Sequence, residues 1–108
     1  MKTILTLSAT CATMLMAGSA IAADTGDAAK GKDVFEQCGV CHNVDSPDKK
    51  VGPSLQGLYK KPKLKNGKPV NDANVKAIVN AGGNGMPAYA DMLSDDERAD
   101  LIAYLKTI

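Results

Sequence analysis

The sequence predicts an all-α domain of three to four short helices, and three observations carry that prediction. Three separate stretches place apolar residues at helical spacing, each with boundary signals at its ends. No β-branched run of period two appears beside them. The chain has 108 residues, and a targeting segment at its start leaves room for one domain only. Aromatic content is 4%, with one Phe and no Trp, so the apolar side chains alone make a marginal core. A chain this small needs a staple, such as disulfides, a metal or a large apolar cofactor. The formal net charge of +1 gives no general attraction to nucleic acid.

Residues 1–22 read as a secretory signal peptide. Met1 and Lys2 form a short basic start, Ile4 to Ala17 is mostly apolar, and Ala20-Ile21-Ala22 matches the small-x-small cleavage pattern. Cleavage is expected after Ala22, with Ala23 the alternative. An uncleaved anchor is disfavoured, because the apolar stretch is shorter and more Ser/Thr-interrupted than the roughly 20 residues of a membrane span. Cys11 goes with the leader. The mature chain is then a single exported, soluble domain over residues 23–108 that keeps Cys38 and Cys41 and has no stable membrane insertion. In a bacterium its place is the periplasm.

Asp27 is placed to cap a first helix running to about Cys38, with Ala28, Gly31, Phe35 and Cys38 on one face. A glycine inside a helix costs about 1 kcal/mol against alanine, so Gly31 marks a site where another helix crosses closely. Next comes Cys38-Gly39-Val40-Cys41-His42. C-x-x-C-H is the spacing of a c-type haem attachment site: each thiol forms a thioether to a haem vinyl group and the histidine turns its imidazole to the iron. His42 is the sole histidine of the chain. The pair has other readings, as a redox dithiol, half of a zinc site or a plain disulfide. Zinc lacks a second ligand cluster here, and a redox dithiol needs a strand-turn-helix setting that the flanks do not provide.

After His42 the periodicity stops. Residues 43–69 hold prolines, Gly52, Gly57, Gly67 and seven lysines between Lys49 and Lys68, which reads as irregular loop with at most a short helical turn. Within it, the Pro53 carbonyl is the expected acceptor for the His42 Nδ1 proton, leaving Nε2 for iron; alternatively Pro53 only shapes the loop. Asn71 or Asp72 caps a second helix with Val75, Ile78 and Val79 as its buried stripe and Gly82 at its end.

Gly83-Asn84-Gly85-Met86-Pro87 cannot be regular helix. A lone loop methionine is ordinarily gap-filling. With one histidine available, however, a six-coordinate haem needs a second donor, and a thioether sulfur suits it. Met86 is therefore the expected second ligand, Met92 the rival, and an empty or lysine-filled position the remaining alternative. The run lacks both G-x-G-x-x-G after a strand and a Gly-Lys-Ser/Thr ending, so a phosphate-loop reading is set aside. Ser94-Asp95-Asp96-Glu97 is a capping box for a last helix whose stripe is Leu101, Tyr104, Leu105 and Ile108, with Lys106 in the final turn. Tyr104 or Leu101 is the expected partner of Gly31 and Phe35. A general acid/base role for these carboxylates has no supporting surroundings.

Taken in order, Gly31 and Phe35, the C-x-x-C-H pentapeptide, Val51-Gly52-Pro53-Ser54-Leu55, Gly85-Met86-Pro87 and Leu101-Ile102-Ala103-Tyr104-Leu105-Lys106 resemble a class I cytochrome c of the small bacterial type. The resemblance spans the mature region. It implies the cytochrome c fold wrapped around one haem c held through Cys38 and Cys41, His42 and Met86 on opposite faces of it, and one-electron transfer without catalysis. The chain departs from the longer mitochondrial-type members in its shorter loop before the Met segment and in lacking tryptophan, which leaves Tyr59 or a lysine to bind the inner propionate. The expected function is a diffusible, monomeric electron carrier between redox proteins, docking at the haem edge or near Lys49 to Lys68. The alternatives are a dedicated haem subunit of a dehydrogenase or oxidase complex and, further off, a five-coordinate gas sensor or peroxidase.

Overall fold

Asp27 caps the first helix: its carboxylate accepts from the backbone N–H groups of Ala29 at 2.9 Å and Lys30 at 3.3 Å, meeting donors that a helix start leaves unpaired. The computed structural model describes residues 26–108. The leader, its cleavage site and Cys11 lie outside the described residues. Helix α1 spans Ala28–Phe35, α2 spans Asp72–Ala81 and α3 spans Asp95–Leu105, with a 3-10 turn at Leu58–Lys60.

Helix α1 ends three residues before the expected Cys38. Cys38 N donates to Phe35 O at 2.7 Å, an i to i−3 bond, and the chain continues in tight turns through Cys41. Tightening of this kind is how a helix end satisfies its last carbonyls. As a result Gly31 and Phe35 are buried while Cys38 stands half-exposed past the end of the helix.

Helices α1 and α3 cross where Gly31 has no side chain. An ideal Cβ there would lie 1.9 Å from the Asp100 carbonyl oxygen and 2.8 Å from Tyr104 Cβ. The rings of Phe35 and Tyr104 then pack with centroids 5.4 Å apart, tilted by 49°, within the range where aromatic pairs attract. Gly26 repeats the close approach: its Cβ would lie 2.1 Å from Ala99 O, and the adjoining Asp27 N–H donates to Asp100 Oδ1 at 2.7 Å. The seam between the chain ends therefore extends one turn further than Gly31 alone indicates.

Helix α2 starts at Asn71, whose side chain accepts from Asn74 N at 2.8 Å, and stops at Gly82 with φ +63°. Val75 and Val79 are buried and Ile78 is half-buried. Ser94 and Glu97 complete the capping box of α3 in both directions, at 3.1 and 2.9 Å. Its inner face differs from the expected stripe. Leu101 and Leu105 are buried, but so are Ile102 and Arg98, whereas Tyr104 and Ile108 are half-buried. Phe35, Leu58, Val75, Val79, Tyr89 and Leu93 join these apolar α3 residues in one core. The lysine-rich stretch is irregular apart from the 3-10 turn and one isolated antiparallel bridge between Lys63 and Pro69.

Tyr59, Asp72 and Lys106 tie three parts of the chain together at the surface. The Tyr59 hydroxyl donates to Asp72 Oδ1 at 2.9 Å, Lys106 Nζ donates to Oδ2 at 3.0 Å, and the ammonium lies 5.6 Å from the Tyr59 ring centroid. Burial works to raise the Asp72 carboxyl, but the hydrogen bonds from Lys106 and Tyr59 and the ammonium charge outweigh it and hold the group below its ordinary value. A depressed carboxyl stabilises the fold above its unfolded value of about 3.9, and that contribution is lost as pH falls through the folded value. Asp72→Asn should therefore lower the melting temperature at pH 6, and the gap from the parent should close as the pH drops below about 4. Because the side chain is 44% exposed, solvent screening limits the gap to about 1 kcal/mol or less. A gap that stays constant down to pH 2 would assign the loss to packing.

Candidate haem site

Two short segments build the proximal side. Gly52 N donates to Cys41 O at 2.7 Å and Leu55 N donates to Asn43 O at 2.8 Å, so residues 41–43 and 52–55 run as a two-rung strip. Between the rungs, His42 Nδ1 lies 2.7 Å from the Pro53 carbonyl oxygen. A carbonyl only accepts, so Nδ1 is the protonated nitrogen and Nε2 keeps its lone pair for a metal. The hydrogen bond also fixes the ring and raises its basicity. An ideal Cβ on Gly52 would lie 2.5 Å from His42 Cε1. Gly52 thus makes room for the imidazole, a role legible only as the glycine preceding Pro53.

Cys38 and Cys41 flank the same turn as free, half-buried thiols. Burial first, and then the neighbouring Cys41, push the Cys38 thiol above its ordinary value. A redox dithiol depends on the opposite shift in its attacking cysteine, so the electrostatics disfavour that alternative. Lys50 Nζ donates to Gly39 O at 2.9 Å, pinning the turn from outside. Val40 and Val51 are 70% and 77% exposed beside it.

Met86 stands on a small hairpin. Gly83 and Met86 exchange backbone hydrogen bonds at 2.9 and 3.0 Å around Asn84 at φ +54° and Gly85 at φ +92°. Two consecutive residues of positive φ make the turn type for which Asn-Gly is favoured. Tyr89 N donates to Val79 O at 2.9 Å and returns the chain to α2. Met86 is half-buried against the core, while the rival Met92 is 59% exposed. Burial, followed by the charges of Cys38 and Cys41, raises the Tyr89 phenol. Cys38 and Met86 both pack on the core to which Tyr89 belongs.

The side chains present suit a flat, apolar, covalently held group. Cys38, Val44, Leu55, Leu64, Val70 and Met86 pack on the core yet keep exposed area that such a group would cover. Tyr59 does not fit the expected propionate role, because its hydroxyl is already given to Asp72. A cavity of about 130 Å³ beside Pro53 and Ser54 is lined by Lys49, Lys61 and Lys65, leaving lysines as the basic groups close to the proximal strip. Another cavity, about 420 Å³ between α2 and α3, shares no residue with the site.

The sequence model of the family described as Cytochrome c matches residues 28–108. The chain belongs to the cytochrome c family. It is 31% identical over 99 residues to the cytochrome c of Tetrahymena pyriformis, an alignment covering 77% of this chain and 90% of that protein. It is 35% identical over 86 residues to the cytochrome bc1 complex cytochrome c subunit of Corynebacterium diphtheriae, covering 78% of this chain and 28% of that longer protein. The structure of cytochrome c6 from the diatom Phaeodactylum tricornutum superposes with a TM-score of 0.59 at 28% identity, covering 76% of this chain and 93% of the other. The three helices of the described residues, packed around one core, are the all-α cytochrome c fold. Membership makes the chain a class I cytochrome with covalent haem c, for which Cys38 and Cys41 supply the C-x-x-C-H pair, and an electron carrier rather than an enzyme. Among the described residues no helix is long and apolar enough to cross a membrane.

Proposed function

We propose that this cytochrome is exported through cleavage of residues 1–22 and works as a soluble, monomeric one-electron carrier in the periplasm, residues 23–108 forming the mature domain. Its haem iron is held by His42 and Met86. The observation that supports His42 as a ligand is the 2.7 Å contact of its Nδ1 with Pro53 O, which leaves Nε2 its lone pair for a metal. When bound, the haem supplies the ferric/ferrous couple; thioether ligation and apolar surroundings favour the reduced form and raise the potential. With His42 and Met86 both given to the iron, the chain would leave it no position for substrate. Pro53 orients His42, Gly52 clears its ring, and the 83–86 hairpin presents Met86.

Docking uses the apolar edge at Val40 and Val51 with the lysines from Lys49 to Lys68, all of which are exposed. Lysines of one sign steer acidic partners, and redox encounters are brief with small interfaces. The second reading is a haem subunit of a larger complex, favoured by the match to a segment of the longer bc1 subunit.

A ferric absorption spectrum with a redox titration tests the assignment. A low-spin spectrum with a weak near-infrared band and a single one-electron step is expected; a high-spin spectrum with rapid CO binding would indicate a sensor or peroxidase instead. Electron-transfer rates with an acidic partner should fall steeply as salt rises. A salt-independent rate, with co-purification in a complex at high salt, would favour the subunit reading.

A further inference from the structure

Arg98 lies in the apolar register of α3, one turn before Leu101 and Ile102, and is the one buried charged side chain among the described residues, 9% exposed. Burying a guanidinium is costly unless its donors are met. Here a single neighbouring segment meets two of its five N–H donors. Nη1 donates to Leu93 O at 2.7 Å and to Ala90 O at 3.1 Å. Nη2 pairs with Asp95, whose carboxylate is 87% exposed, and Nε is buried without a partner.

Ala90 and Leu93 belong to the turn that follows Met86, in which the N–H groups of Met92 and Leu93 both donate to Tyr89 O at 3.1 Å. The segment that carries Met86 is thus fastened at two ends. Around Met86 itself it is held to α2, through Gly82 N to Ile78 O at 2.8 Å before the hairpin and Tyr89 N to Val79 O at 2.9 Å after it. Toward the C-terminus its carbonyls are held to α3 by one guanidinium. We propose that Arg98 is a positioning residue for Met86, gripping the Ala90–Leu93 turn so that the thioether is presented at a fixed place. This rests on Met86 being the second iron ligand. The planar fork of an arginine reaches two carbonyls and a carboxylate together, which the point charge of a lysine does not reproduce.

The test compares the ferric holoprotein of the parent with Arg98→Lys, Arg98→Met and Gly31→Ala, the last lowering stability from the far side of α3. Each is titrated with imidazole while the near-infrared band is followed. Apparent affinity for an external ligand scales with the fraction of molecules whose Met86 is displaced. Arg98→Met should bind imidazole about tenfold more tightly with a weakened band, Arg98→Lys should fall between it and the parent, and Gly31→Ala should match the parent below its melting temperature. Parent-like affinity and band in the Arg98 variants would overturn the inference, as would an equal gain of affinity in Gly31→Ala, which would reduce the effect to lost stability. If Arg98→Met fails to retain haem, Arg98→Lys decides by the same two readings. A parent protein that lacks the near-infrared band would instead remove the Met86 assignment itself.

Discussion

Met86→Ala should abolish the near-infrared band of the ferric protein, open the iron to external ligands and lower the reduction potential by on the order of 0.1 V or more, against the roughly 0.8 V over which axial ligands set haem potentials. The expectation follows from the proposed ligation, in which the Met86 thioether would stabilise the ferrous state. The fold should survive, because Met86 is half-buried on a hairpin whose bonds are made by backbone atoms of Gly83 and Met86 itself. Met92→Ala is the matching control. Its side chain is 59% exposed, so spectrum and potential should both stay as in the parent. A Met86→Ala protein that keeps the band, or a Met92→Ala protein that loses it, would move the second ligand to Met92.

Gly31→Ala should destabilise the holoprotein by about 1 kcal/mol or more, and Gly31→Leu by more still. Two effects oppose each other. Alanine is preferred over glycine inside a helix by about 1 kcal/mol, which alone would stabilise α1. Against this, the new Cβ would lie 1.9 Å from the Asp100 carbonyl oxygen. That neighbour is backbone within α3, so no rotamer change can relieve the overlap, and the two helices must part. Overpacking of this kind typically costs about 1–3 kcal/mol, and a backbone clash sits at the upper end. For a domain of this size each kcal/mol corresponds to a melting shift of about 4–8 °C. A Gly31→Ala holoprotein that melts at or above the parent temperature would mean that the crossing can slide without loss.

Several features were legible in the sequence because their causes lie within a few residues. Asp27, Asn71 and Ser94 cap helices by accepting from groups two or three positions on, and the Asn84-Gly85 turn closes over four residues. The cysteine and histidine spacing carries its chemistry in five consecutive positions. Even the His42 to Pro53 bond was readable, since a histidine bound through Nε2 needs an acceptor and the proline segment follows closely. Gly31 announced a crossing by its presence in a helix.

The tertiary structure decided what depends on distant groups arriving together. That Gly31 meets the carbonyl of Asp100, with Gly26 doing the same at Ala99, follows from the depth to which α1 sinks onto α3. Tyr59 was free to face a propionate as far as local chemistry went, but α2 and α3 bring Asp72 and Lys106 to it first. Arg98, three and four positions before Leu101 and Ile102, was not in the expected stripe of α3, yet it is buried. Only the returning Ala90–Leu93 turn shows why the charge is tolerated there. Caps and turns are satisfied by their own neighbours along the chain, whereas a buried guanidinium or phenol takes whichever acceptor the packing delivers.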